Sequence, residues 1–528
     1  MPRVGPGLFG VVLAAIGGCG RAPIGSASQP IEASGWFVDR SNESGLDRAP
    51  IPTEESPLLG TGVAVGDVDG DGLPDIVARS GAHGDTVVYR NQGGFVFTPL
   101  GAPLPKAQGF LLVDLDGDGD QDLVLAGPKS SGVYENDGHG AFTLRASGDA
   151  LLPQASTIGV AAIDADGDGA IDPFFYAYDA FAPEAESSRS HLARNGGDFS
   201  FADGSATGLS MIRLTWAVAW FDADGDGLPD LYAASDTGLG DPGFGPPTGN
   251  QVALPDMLFR AKAGSPRTYE DGAAAAGLGE ARGSMSAIVG DFDRDGRLDL
   301  YVSNQGKNRL FSNRGDGTFE DRTDEAGIGA TRLERSDCPA TSTEDRCLLT
   351  SWGAALFDAD HDGLDDLVVV NGALLPPEAQ PASTFRGLGG GRFAAVEMGL
   401  PSRGGRALVA ADLDGDGDLD LVSTTHGGAL LVFENRATHD DRWLRVAARG
   451  TTSNRDGIGA TATLTLDDGT TVVRPIGAGG VAQSSAPYEA HFTWRGAKPQ
   501  MLVVRFPSGA IATVDSVPLG KSIVVSEP

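Results

Sequence analysis

A nine-residue pattern, D-x-D-x-D-G-x-x-D, occurs seven times in this chain of 528 residues. It starts at Asp67, Asp114, Asp164, Asp222, Asp291, Asp358 and Asp412, at intervals of 47, 50, 58, 69, 67 and 54 residues. The four aspartates and the glycine recur without exception, which marks a repeat array built from one supersecondary unit per period. The densest copy, "DLDGDGDLD" (Asp412 to Asp420), holds five aspartates in nine residues. Two carboxylates about 4 Å apart repel by roughly 4 kcal/mol at an effective dielectric of 20. A fold that keeps seven such stretches needs something at each one that removes the repulsion.

The spacing supplies a candidate. Hard oxygen ligands at positions 1, 3 and 5 converge if the loop curls. Position 6 must then turn sharply, and it is Gly in every copy. Position 7 can offer its backbone carbonyl, so its side chain is free to vary. The aspartate at position 9 closes the set. Oxygen-only ligation with several carboxylates is calcium chemistry, since magnesium favours fewer carboxylates and more water. The expected ligands are Asp67, Asp69, Asp71 and Asp75; Asp114, Asp116, Asp118 and Asp122; Asp164, Asp166, Asp168 and Asp172; and Asp222, Asp224, Asp226 and Asp230. The last three loops add Asp291, Asp293, Asp295 and Asp299; Asp358, Asp360, Asp362 and Asp366; and Asp412, Asp414, Asp416 and Asp420. About seven Ca²⁺ ions are expected, one per repeat. The loop is not an EF-hand, because position 12 carries no Glu and the following residues are β-like, as in "LYVSN" and "LVVVN". Metal-free Asp turns are the plain alternative, but Asn, Ser or Gly would make them without the charge.

Each loop lies between two short apolar runs. A third run ends near an Asn, as in "VVYRN" and "RLFSN", and a glycine turn with an aromatic-led fourth run follows, as in "GDGTFEDRT". Four strands per repeat and seven repeats predict an all-β, seven-bladed β-propeller with a small C-terminal β domain. The last repeat has no fourth strand after Asn435. "GWFVDRSNESGL" (Gly35 to Leu46) parallels "GTFEDRTDEAGI" (Gly317 to Ile328) and is expected to close the ring by completing the seventh blade.

The N-terminus reads as an export signal: Arg3, the apolar run "LFGVVLAAIGG", then Cys19. "AIGGC" resembles a bacterial lipobox, which implies that Cys19 is lipidated. The expected organisation is a signal peptide over 1–19, a polar linker over 20–34, the propeller over 35–436 and the C-terminal domain over 440–526. The remaining cysteines, Cys338 and Cys347, predict a disulfide in an exported chain. A net charge of −33 argues against nucleic acid as partner. The expected location is the outer membrane or cell surface as a lipoprotein, with membrane contact only through the anchor; periplasmic or secreted protein is the alternative.

The D-x-D-x-D-G-x-x-D repeats resemble the FG-GAP/VCBS repeats of integrin-type propellers over roughly Gly35 to Asn435. "RWLRV" (Arg442 to Val446), "SNRDGIGATATL" (Ser453 to Leu464), "AQSS" (Ala482 to Ser485), "HF" (His491, Phe492) and "FPSG" (Phe506 to Gly509) resemble an ASPIC/UnbV domain. Phe506 departs from the Trp usual there, and "HFTWRG" departs from H-F-G-L-G. The pairing of propeller and domain resembles the bacterial relatives of cartilage acidic protein. The resemblance implies an extracellular calcium-binding protein without established catalytic activity.

No catalytic or dinucleotide-binding residues are expected. The seven histidines are scattered, and H-E-x-x-H and G-x-S-x-G are absent. "RGD" at Arg314 to Asp316 falls in a turn between strands. Trp216, Trp220 and Trp352 are expected to pack near the central channel, with a sugar-stacking platform as the sharper alternative. The function expected is noncatalytic binding of a protein or glycan at the bacterial envelope. The alternatives are a polysaccharide lyase or hydrolase on a propeller scaffold, or a structural subunit of an envelope complex. Long insertions at Ala177 to Ser190, Asp236 to Pro255, Ala373 to Thr384 and around the two cysteines are expected on the face opposite the aspartate loops.

Overall fold

The computed structural model describes residues 35–528, apart from 49–50, 52–59, 81–83, 129, 149–150, 152–155, 180–184, 237–253, 330–348, 373–378, 438–441 and 481. Cys19, Cys338, Cys347 and the signal and linker segments therefore lie outside the described residues.

Among the described residues up to Asn435, seven antiparallel sheets follow one another along the chain, each built on a path of four adjacent strands. Their inner strands are Val63–Gly66, Gly109–Val113, Thr157–Ile163, Thr215–Phe221, Ser284–Gly290, Ser351–Phe357 and Gly405–Ala411. Nearly every residue of these strands is buried. Such strands read as continuous apolar runs because both their faces are covered. Outer strands lose that cover: Phe97–Leu104 is mostly exposed beyond its first residue. Each inner strand packs against the next, and the last packs against the first, so the sheets close into a β-propeller. The closing strand is Phe37–Asp39, which pairs antiparallel with Leu430–Asn435 in the register Phe37↔Asn435. Its internal counterpart is Asn313↔Phe319, so the split fourth strand inferred from the sequence completes the last sheet.

Beyond the ring, Trp443–Arg449 lies between Glu489–Thr493, antiparallel to it, and Lys521–Ser526, parallel to it. A second sheet joins Thr471–Pro475, Thr461–Leu466, Pro499–Arg505 and Ile511–Val514. The two sheets share a core that includes Leu444, Leu464, Phe492, Leu502 and Phe506.

The connection between Thr471–Pro475 and Glu489–Thr493 enters the propeller channel. Trp220 N–H donates to Ala478 O at 2.7 Å, Ala287 N–H to Gly480 O at 3.0 Å and Phe110 N–H to Gln483 O at 3.1 Å. Val65 N–H donates to Ser485 O at 3.1 Å, and Ser485 N–H returns a bond to Val63 O at 3.2 Å. Inner strands leave backbone donors and acceptors facing the channel, and buried ones need partners. The connection supplies them on four different sheets. "AQSS" belongs to this plug, and all four of its residues are buried.

Candidate metal centres and the opposite face

The nine-residue loops join the first and second strands of each sheet and all lie at one end of the propeller. In the first, Asp67 Oδ1 accepts the Gly70 N–H at 2.8 Å and Oδ2 accepts the Gly72 N–H at 2.9 Å. The Asp71 carboxylate accepts the Leu73 N–H at 3.0 Å. The backbone thus curls around the first carboxylate, and position 4 takes φ of 74°. Arg294 and His361 hold this left-handed conformation in two loops where the others have Gly.

Position 9 has a more structural role than the spacing implied. Asp75 Oδ2 accepts the Val68 N–H at 3.0 Å and Oδ1 accepts the Asn91 N–H at 2.7 Å. The same two bonds recur at Asp122, Asp172, Asp230, Asp299, Asp366 and Asp420. Position 9 therefore ties the loop to the third strand of its own sheet. The Asn noted at the end of that strand reaches further. Asn91 Nδ2 donates to Leu413 O at 2.7 Å, Asn136 to Val68 O at 2.8 Å and Asn195 to Leu115 O at 2.7 Å, each across a seam between sheets. Where Ala261 replaces Asn, the Tyr269 hydroxyl donates to the equivalent carbonyl, Ala165 O, at 3.0 Å.

Carboxylate oxygens of Asp67, Asp69 and Asp71 lie within 4.8 Å of one another, as do those of Asp222, Asp224 and Asp226 and of Asp291, Asp293 and Asp295. In two other loops the converging set is Asp114, Asp116 and Asp122, and Asp164, Asp166 and Asp172, so position 9 stands where position 5 was expected. Asp69 Oδ1 is buried without a hydrogen-bond partner. Burial is the main force on these carboxyls. It pushes Asp75, Asp114, Asp122 and Asp230 up to about 7, and Asp172, Asp299 and Asp358 up to about 8, against the pull of backbone amides or hydroxyl groups. Neighbouring aspartates push the same way. An oxygen-only donor set under this electrostatic load fits a hard divalent cation, which positions 1 and 3 would hold together with position 5 or position 9.

Arginines escaped the sequence reading. Arg90 Nε lies 2.5 Å from Asp69, Arg194 Nε 2.7 Å from Asp166, Arg260 NH1 2.6 Å from Asp224 and Arg386 NH2 2.7 Å from Asp360. Each reaches position 3 from the third strand of its own sheet. The signal was present as Arg before Asn in "VVYRN" and "LARN".

The C-terminal domain sits on this loop face. Arg455 Nε lies 3.5 Å from Asp114 Oδ2, and Asp456 accepts the Asp114 N–H at 2.8 Å. Arg445 NH1 lies 3.4 Å from Asp412 Oδ2, and Thr493 donates its hydroxyl to Asp358. Arg474 pairs with Asp365.

At the opposite end, the roots of the long connections meet on a buried floor. Asp236 accepts the Tyr178 hydroxyl at 2.8 Å, Trp216 Nε1–H at 3.1 Å and Gln305 Nε2–H at 3.2 Å. Trp216 packs edge-on to Trp352 at 5.2 Å, and Arg406 lies over Trp352 at 4.2 Å. Trp216, Trp220 and Trp352 are each 1% exposed, so they serve as core rather than as a stacking platform. The segments 180–184, 237–253, 330–348 and 373–378, in which the insertions were expected, lie outside the described residues.

Family comparison agrees with this architecture. An FG-GAP-like repeat model matches residues 114–175, 179–233, 291–369 and 358–423, and an FG-GAP repeat model matches 59–97. The ASPIC and UnbV model matches 450–528. The chain carries FG-GAP repeats and a C-terminal ASPIC and UnbV domain. It is homologous to cartilage acidic protein 1, with 27% identity to the Xenopus tropicalis protein and 26% to the Homo sapiens protein. Each match covers 70% of this chain but 56% and 55% of those relatives, so the chain spans about half of their length. Among solved structures, BBS1N bound to ARL6DN has a TM-score of 0.42 at 11% identity, covering 76% of this chain and 98% of that one. A lectin of Agrocybe aegerita that recognises non-reducing terminal N-acetylglucosamine has a TM-score of 0.36 at 17% identity, covering 64% and 80%. Among the described residues no helix of the FG-GAP chain is long and apolar enough to cross a membrane.

Proposed function

We propose that this protein is an exported, calcium-stabilised, noncatalytic module that binds a protein or glycan partner at the bacterial envelope. Binding takes place on the propeller face opposite the FG-GAP loops. The observation that carries this reading is the position of the C-terminal domain. Its plug fills the channel and its sheets lie over the loop end, so the end left for a partner is the one where the long connections are rooted. Long loops on a rigid scaffold are where binding usually resides, and the Asp236, Trp216 and Trp352 floor is such a scaffold. Calcium in the FG-GAP loops fixes the scaffold, and an N-terminal anchor at Cys19 would hold it at the membrane.

The test replaces 237–253 by a Gly-Ser turn and compares both proteins on a glycan array and in crosslinking to native envelope. Loss of defined contacts, with melting temperature and calcium content preserved, supports the reading. Unchanged contacts move the site to the C-terminal domain.

A further inference from the structure

The seven FG-GAP loops are not equally open to solvent. At position 6, Gly72, Gly119, Gly227 and Gly296 are exposed and Gly169 is partly so, whereas Gly363 and Gly417 are buried. The cover over these two comes from the C-terminal domain. A Cβ placed on Gly417 would lie 2.1 Å from the Trp443 ring, and one on Gly363 would lie 3.3 Å from the backbone nitrogen of Arg495. The contacts are specific as well as close. His491 Nε2 lies 2.8 Å from Gly417 O, Arg445 lies against Asp412, and Thr493 donates to Asp358. In the loop starting at Asp358 none of the nine residues is exposed; in the loop starting at Asp412 only Gly415 and Asp416 are. The loop at Asp114 is touched by Arg455 and Asp456, yet Gly117, Asp118 and Gly119 stay exposed.

We propose that the C-terminal domain is a lid on the loops at Asp358 and Asp412, so that cations held there exchange only when the domain lifts, while those in the other five loops exchange directly with solvent. This rests on the reading of the loops as calcium sites. Local opening of a docked domain requires breaking its contacts and is slower and rarer than fluctuation of an exposed loop. The coupling is reciprocal: whatever the lid does to the affinity of these two sites, their occupancy does to the docking of the lid.

The experiment follows calcium release from the full chain after rapid mixing with excess fluorescent chelator. The expected trace has two phases, about five ions leaving fast and about two leaving roughly tenfold or more slowly. Trp443→Ala should move the slow ions into the fast phase. Thr493→Val, a milder change that removes one hydroxyl and leaves packing volume, should speed both slow ions, by less than Trp443→Ala does. Release of about seven ions in one phase overturns the lid while leaving the calcium reading intact. So does a slow phase that survives both variants. Failure of the whole chain to take up calcium overturns both readings.

Discussion

At the scale of single residues, the best-held carboxylate of the C-terminal domain lies outside the repeats. Glu527 accepts the N–H groups of Thr451, Thr452 and Ser453 at 2.7, 2.7 and 2.8 Å and the Ser453 hydroxyl at 3.0 Å. Ser508 of "FPSG" also donates to it. Burial pushes this carboxyl up, but Ser508 and the three amides outweigh burial and hold it at about 2. A depressed folded value means that the stabilisation is complete above the unfolded value, about 4.3, and is lost as pH falls towards 2. Glu527→Gln should therefore cost about 2 kcal/mol at pH 7 and progressively less towards pH 3. Thermal unfolding of the two chains at both pH values checks this; an equal deficit at pH 7 and pH 3 would show that charge plays no part. The residue was unremarked in the sequence, because its backbone donors lie about 75 positions away. The FG-GAP aspartates were legible because their partners are neighbours in the chain: Asp67 is satisfied three and five residues later.

At the scale of elements, the four-strand repeat and the split closing strand were readable from pattern alone. Buried inner strands, the aspartate loop and the Asn at the third strand recur in one order, and the N-terminal "GWFVDR" matches the missing piece. The channel plug was not readable. Residues 476–487 carry no period of their own, and their fit depends on strands from four sheets. Gly480 shows how close that fit is: it has φ of 94°, and a Cβ there would lie 1.7 Å from Ala287 O. Gly480→Ala should unseat the plug, lowering stability by about 2–4 kcal/mol through strain and backbone displacement. Hydrogen exchange should then rise at Trp220 and Ala287, whose N–H groups the plug accepts. Unchanged melting and exchange would mean that the plug adjusts without cost.

For the whole molecule, a chain of net charge −33 places its acidic repeats at one end of a closed ring. Arg90, Arg194, Arg260 and Arg386 offset part of that charge within the propeller, and Arg455 and Arg445 reach in from the C-terminal domain. On the proposed calcium reading, ions bound only by the folded state would add stability by mass action, roughly 2.7 kcal/mol per site at a hundredfold excess over Kd. Chelation should therefore lower the melting temperature by well over about 10 °C, and Asp222→Ala should remove about one ion of about seven. Calorimetry and metal analysis test this; equal melting with and without chelator would refute it.

The sequence by itself determined the all-β class, the repeat, the closing strand and the placement of 28 loop aspartates, because each depends on spacing within a few residues or on a recurring strand order. Alternating strand directions also put the strand ends that flank the long insertions at the end opposite the aspartate loops, while most of the insertions themselves lie outside the described residues. The tertiary structure decided where the C-terminal domain sits, which loops it covers and that the segment carrying "AQSS" enters the channel. Those outcomes depend on surfaces assembled from residues more than a hundred positions apart, such as Asp358 with Thr493 or Val65 with Ser485. Complementarity of that kind leaves no periodic mark on the chain, so only the folded molecule reveals it.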